Sequence, residues 1–152
     1  MRRRSAIAIA VIVCTLILSI AVPAQGASRD RFYRGKTSQG HGITFRVTKD
    51  DDGVRSVKEM RLKRIELACD DGTTQVWGSG WIFGGFGPRI TDGAFTYDEA
   101  YEFQATHFAG RLGRFTGEGT VRMTVPALTP DEQAQVCTSG DLTWEVEFVR
   151  TI

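Results

Sequence analysis

From Gly42 onward the chain alternates apolar and polar residues, interrupted every few positions by Gly or Asp-Gly. A period of two puts successive side chains on opposite faces of a strand, so the pattern predicts strand after strand. In GITFRVT, Ile43, Phe45 and Val47 share one face, while Thr44, Arg46 and Thr48 share the other. Asp52-Gly53 is the hairpin signal that follows. VKEMRLKRIELAC reads as one long strand whose apolar parity shifts between Met60/Leu62 and Ile65/Leu67/Cys69. One extra residue re-aims every later side chain, so the shift predicts a bulge near Lys63-Arg64. A similar shift in YEFQATHFAGRL predicts a second bulge near Thr106-His107. In RFTGEGTVRMTV the expected inner face is Phe115, Gly117, Gly119, Val121, Met123 and Val125. In DLTWEVEFV it is Leu142, Trp144, Val146 and Phe148.

Two intervals depart from this rhythm. PALTPDEQAQV offers Thr129 as a helix cap, Pro130 at the first helical position, and Asp131 and Glu132 at the positive helix start. It predicts one short helical turn near 129–135. VWGSGWIFGGFG, from Val76 to Gly87, packs four aromatic rings among five glycines. Trp77, Trp81 and Phe83 share parity and read as one core face of a twisted strand relieved by small residues. Phe86 has the opposite parity, precedes Gly87-Pro88, and reads as the exposed ring.

The expected fold class is therefore all-β: a single antiparallel β-sandwich or β-barrel of about seven to nine strands. Alternation does not report which edge strands meet, so sandwich and barrel stay open.

The first residues follow a different rule. Arg2, Arg3 and Arg4 precede an uncharged apolar run from Ser5 to Val22, and Pro23 and Ala24-Gln25-Gly26 follow. A positive start, an apolar centre and small residues at the end describe a secretory signal peptide. Residues 1–26 are read as that segment and 27–152 as one exported domain. The alternative is an uncleaved N-terminal membrane anchor, since the run approaches spanning length. Cys14 lies mid-run after Val13, where lipidation would want a small residue.

This division changes the charge picture. The whole chain carries 19 basic and 18 acidic residues, a formal +1. Without Arg2–Arg4 the balance is 16 to 18, or −2. No basic excess remains to favour nucleic acid. Two cysteines remain, Cys69 and Cys137, and an isolated pair in an exported chain most simply forms a disulfide.

Candidate chemistry is sparse. Asp98, Glu99 and Glu102 cluster, but no partner acid stands out for glycoside hydrolysis. Asp50–Asp52 and Asp70-Asp71 suit acidic turns better than a calcium loop. His41 lies in a glycine-flanked loop and His107 at the expected bulge, with nothing to bring them together on a metal. No catalytic, cofactor-binding or metal residue is assigned. The candidate binding surface is Phe86, Trp81, Trp77 and His41, because aromatic faces stack on sugars or grip another protein.

GKTSQGHGITFRV, CDDGT, ITDGAF, FAGRLGRFTGEGTVRM and CTSGDLTWEV, in that order, resemble small secreted β-rich domains of actinobacteria. The resemblance implies an exported location and supplies no catalytic residue. The expected function is a secreted, non-catalytic β-domain with a binding or structural role at the cell envelope or outside the cell. Its partner would be envelope polysaccharide or another exported protein. One alternative is a carrier holding an apolar molecule among Trp77, Trp81 and Phe103. Another is a small carboxylate-dependent hydrolase.

The cysteine pair gives the first test. Alkylation followed by mass spectrometry of exported protein should label neither Cys69 nor Cys137 until a reductant is added. Replacing both with Ser should cost about 4 kcal/mol of stability. Two freely labelled thiols in folded, exported protein would contradict the pairing.

Overall fold

The computed structural model describes residues 30–83, 87–101, 104–128 and 134–151, with the backbone alone for Trp81, Phe83, Tyr101, Ala127, Leu128 and Ala134. The described residues form twelve strands and no helix. They are β1 (Arg31–Thr37), β2 (Gly42–Lys49), β3 (Arg55–Leu62), β4 (Ile65–Cys69), β5 (Thr74–Trp77) and β6 (Gly80–Phe83), followed by β7 (Arg89–Ile90), β8 (Ala94–Tyr101), β9 (Gln104–Leu112), β10 (Thr116–Leu128), β11 (Ala134–Thr138) and β12 (Leu142–Thr151). All pair antiparallel in one sheet, ordered β5-β4-β11-β10-β12-β1-β2-β3-β6. β9 and then β8 extend from β10, and β7 lies beside β3. The sheet curls into a half-barrel, which brings Phe45 of β2 within 6.1 Å of Phe108 of β9 and 6.5 Å of Phe95 of β8.

Twelve strands replace the expected seven to nine because the chain breaks its long strands. The parity change at Lys63-Arg64 is a break between β3 and β4, with Arg64 at φ 50°, rather than a bulge within one strand. Beyond the break, β4 leaves the β2–β3 ladder and pairs with β5 and β11. The true bulge is Glu59, at φ 51°, where the β2–β3 register slips opposite Phe45. The bulge expected at Thr106-His107 is absent. β8 and β9 pair in unbroken register from Ala94↔Arg111 to Tyr101↔Gln104, so the parity change there is the hairpin's own reversal. VWGSGWIF likewise divides into β5, paired with β4, and β6, paired with β3.

Turn chemistry matches its sequence signals more closely. Asp92 and Gly93 both take positive φ, 50° and 79°, as a type I′ turn needs. Thr91 and Ala94 exchange both backbone bonds around it. That turn is a corner, because β7 pairs with β3 while β8 pairs with β9. Of the expected helical turn, residues 129–133 lie outside the described residues. Ala134 and Gln135 belong to β11, which runs antiparallel to β10 through Val136↔Pro126. Cys69 and Cys137 sit directly opposite each other on β4 and β11 and are joined as a disulfide.

The core follows the alternation. Ile43, Phe45, Val121, Met123, Trp144 and Val146 are buried as expected. Each such side chain contributes about 2 kcal/mol through burial. Phe115 is a correction: it is 57 % exposed, because it lies in the turn before β10 and escapes the strand's parity.

At the centre, Trp144 stacks with Phe95 at 6.1 Å and meets Phe108 at 5.2 Å and Phe45 at 5.7 Å. Its indole crosses two glycines of neighbouring strands. Gly119 on β10 is opposite both Trp144 on β12 and Gly110 on β9. A Cβ on Gly119 would stand 2.6 Å from Cζ2 of Trp144, and one on Gly110 would overlap the same ring. The pair is a slot in the sheet that only hydrogen leaves open.

Gly119→Ala should therefore cost about 3 kcal/mol in denaturant unfolding, the upper range for overpacking a filled core. Gly78, exposed with no atom within 4 Å of an added Cβ, is the control. Gly78→Ala should change stability by no more than about 0.5 kcal/mol. Equal effects at the two positions would contradict the slot.

Candidate functional site

The polar half of the alternation gathers on the outer face of β8, β9, β10, β12 and β1. Strand register sorts it into rows. Lys36 is opposite Glu145, Glu145 opposite Glu118, and Glu118 opposite Arg111. With strands about 4.8 Å apart, four charges in the order plus, minus, minus, plus span about 14 Å. Beside this row, Arg34 is opposite Glu147, which is opposite Thr116. On the other side runs a low row, Thr143–Thr120–Ala109–Thr96.

The first two rows and Thr143 border a groove of ≈ 960 Å³ that also touches Thr37, Ser38 and Gly117. Gly35 lies in its floor, where β1 and β12 approach so closely that a Cβ would overlap the Glu145 carbonyl. Among the described residues, Arg34, Lys36, Arg111, Glu118, Glu145 and Glu147 form no ion pair. Glu118 and Glu145 are like charges directly across a ladder, an unfavourable arrangement that a cationic partner would relieve.

A fourth row lies beyond the threonines. Asp98 accepts a 2.5 Å hydrogen bond from Nδ1 of His107, and His107 is opposite Arg122. Arg122 donates to both oxygens of Asp141, at 2.8 and 2.7 Å. The paired hydrogen bonds from Arg122 hold the Asp141 carboxyl below its ordinary 3.8, and the nearby His107 adds to that lowering. The same bonds raise the Arg122 guanidinium. Asp98, Glu99, His107, Arg122 and Thr124 border a second hollow of ≈ 430 Å³. Ala100, Ala105 and the buried Thr106 complete its lining, and among the described residues no hydroxyl is bonded to the imidazole.

Of the four residues singled out for binding, the side chains of Trp77 and His41 are described, and these two lie apart. Trp77 is half-buried and packs against the core, with its ring overlapping the place where a Cβ of Gly80 would stand. It is thus a smaller version of the Trp144 arrangement. Among the described side chains of β6, Ile82 is buried, a residue the parity reading left off the core face. The side chain of Trp81, and all of Phe86, lie outside the described residues, as do Glu102 and Phe103.

His41 lies 3.9 Å from Glu66. Its loop is fixed by Gln39, whose amide donates to the Glu66 carbonyl and accepts from the Glu66 N–H. Glu66 is exposed on β4, whereas Trp77 is opposite the buried Ile65, so His41 and Trp77 serve opposite faces. The acidic turns are occupied locally. Asp50 accepts from Val54 N–H at 2.7 Å. Asp71 accepts from the Thr73 hydroxyl and N–H, which lowers its pKa.

The groove residues went unselected because each is an ordinary outward position on its own strand. Only cross-strand register makes them a row, and alternation within one strand carries no register.

The Arg122–Asp141 pair gives a pH test. A depressed folded pKa supplies stability above the unfolded value of 3.8 and loses it as pH falls through the folded value. Carboxyl NMR titration should place Asp141 below 3.8, and Arg122→Gln should move it back up. An unmoved midpoint would contradict the pairing. Comparison with protein-family models, with curated proteins and with solved structures returns no match for this chain.

Proposed function

We propose that this chain is an exported, non-catalytic β-domain that binds a charged envelope polysaccharide in the outer groove of β1, β12, β10 and β9. The observation that carries the reading is the row Lys36–Glu145–Glu118–Arg111, unpaired among the described residues and bordering a concavity. Ser38, Thr116 and Thr143 border the same groove and suit a hydroxyl-rich polymer. A disulfide between β4 and β11 accords with life outside a reducing compartment. The apolar run after Arg2–Arg4 and the resemblance to secreted actinobacterial domains support export in the same direction.

The other readings draw less from the structure. A carrier needs an open interior, whereas Tyr33, Phe45, Phe95, Phe108 and Trp144 fill this one by mutual ring contact. A hydrolase needs two carboxylates in different environments, so that one holds a proton while the other stays ionised. Glu118 and Glu145 are both exposed.

A charge swap tests the proposal. Lys36→Glu combined with Glu145→Lys keeps net charge and the cross-strand pair but changes the row from plus, minus, minus, plus to minus, plus, minus, plus. Wild-type protein should be retained by insoluble cell-wall polysaccharide. The swapped protein should be retained at least tenfold less, with a melting temperature no lower than that of wild type, since the lysine introduced by Glu145→Lys would face Glu118 without like-charge repulsion. Wild type that stays in solution, or equal retention of both proteins, would overturn the reading. Capture of an exported protein instead would transfer the groove to a different partner and overturn the polysaccharide assignment.

A further inference from the structure

At the opposite end of β1 from the Thr37–His41 loop, arginine and exposed apolar side chains share one corner. Arg31 donates a hydrogen bond to the Arg114 carbonyl. Its guanidinium lies 4.7 Å from the Phe148 ring centre and 5.6 Å from that of Tyr33. The Arg114 guanidinium lies 5.0 Å from the Phe115 ring, and Phe115 and Phe148 are 6.4 Å apart. A bond from Phe148 N–H to the Phe115 carbonyl ties the β9–β10 turn to β12.

Phe115 is nonetheless 57 % exposed, and Val149 is 48 % exposed beside the exposed Arg150. Val149 stands out because the β1–β12 register slips there, between Phe32↔Arg150 and Tyr33↔Phe148. Asp30, the corner's own acid, is engaged by Arg46 at 3.2 Å. Glu59 is bound by the same Arg46, Asp50–Asp52 and Asp92 belong to the β2–β3 and β7–β8 turns, and Glu147, next to Phe148, borders the groove opposite Arg34 and Thr116.

The corner also marks where the apolar leader joins the domain. The run Ser5–Val22 is separated from Asp30 by Pro23 to Arg29, seven residues that reach at most about 25 Å. A domain held on such a tether presents its nearest surface to the bilayer at high effective concentration. Arginine heads above an apolar stem, with a protruding aromatic ring, are suited to anionic headgroups and the layer just beneath them. We infer that the Arg31–Arg114–Arg150 corner, with Phe115 and Val149, docks on an anionic membrane surface and sets the orientation of the domain. The inference rests on the alternative in which Ser5–Val22 stays attached as an uncleaved membrane anchor, and is independent of the groove.

The test uses the full chain, with Cys14→Ser so that a single new cysteine can be labelled. One protein carries an environment-sensitive dye at Thr151→Cys, beside the corner. A second carries it at Thr74→Cys, on the exposed start of β5. Vesicles of phosphatidylcholine alone are compared with vesicles containing one third phosphatidylglycerol. Flotation with both kinds of vesicle reports the leader separately from the corner.

The dye at position 151 should brighten and shift to shorter wavelength on the anionic vesicles only, and the dye at 74 on neither. Raising salt from about 0.1 M to about 1 M shortens the screening length from about 10 Å to about 3 Å and should abolish the response. Each arginine replaced by Ser should weaken the lipid dependence roughly fivefold. Phe115→Ser with Arg150→Ser, which leaves the Arg31–Arg114 contact in place, should do so without unfolding. A silent dye at 151, an equal response on neutral vesicles, a response at 74, or variants indistinguishable from wild type would each overturn the inference.

Discussion

The indole of Trp144 lies across Gly110 and Gly119, and the sheet is arranged around that contact. A flat sheet cannot bury one face alone. Here the ring occupies the inner surface of three strands, and Phe45, Phe95 and Phe108 close on it from the curled sheet. Any side chain at Gly110 or Gly119 would lift the ring and separate these layers. Trp77 over Gly80 repeats the device near the sheet's edge. Dense mixing of aromatics with glycine in this chain is thus first a packing solution. The glycines make room for rings that come from other strands or from the far side of a break.

The same strands deliver the outer face. Inner positions Gly119, Trp144 and Gly35 are flanked in sequence by the outer positions Glu118, Glu145 and Lys36. Register fixed by the core therefore fixes the charged row. At either end, other contacts hold the curl. Cys69–Cys137 joins β4 to β11, and Arg46 links Asp30 to the bulged Glu59. The arginine–aromatic corner and the charged groove lie on strands shared by β1 and β12, so a docked corner would orient the groove relative to a surface.

Alternation made the strands and most of the core legible in the sequence: Ile43/Phe45/Val47 and Leu142/Trp144/Val146 face inward as read. The disulfide was legible as well, because only two cysteines follow the apolar run Ser5–Val22. Breaks were not. A parity change marks a bulge, a strand break or a hairpin reversal alike: the change at Lys63-Arg64 is a break and the one read at Thr106-His107 is the β8–β9 reversal, while the bulge at Glu59 was not read at all. Phe115 misled for a related reason, since strand parity was extended into a turn. The groove was illegible because its row exists only after four strands are placed in register.

Ring-current shifts test the central contact most directly. The Hα protons of Gly110 and Gly119 should resonate well upfield of unstructured glycine, show nuclear Overhauser contacts to the Trp144 indole, and lose the shift in Trp144→Leu. Gly78, which has nothing within 4 Å of an added Cβ, should resonate normally throughout. Ordinary Hα positions for Gly110 and Gly119 in folded wild-type protein would contradict the arrangement on which this description of the fold rests.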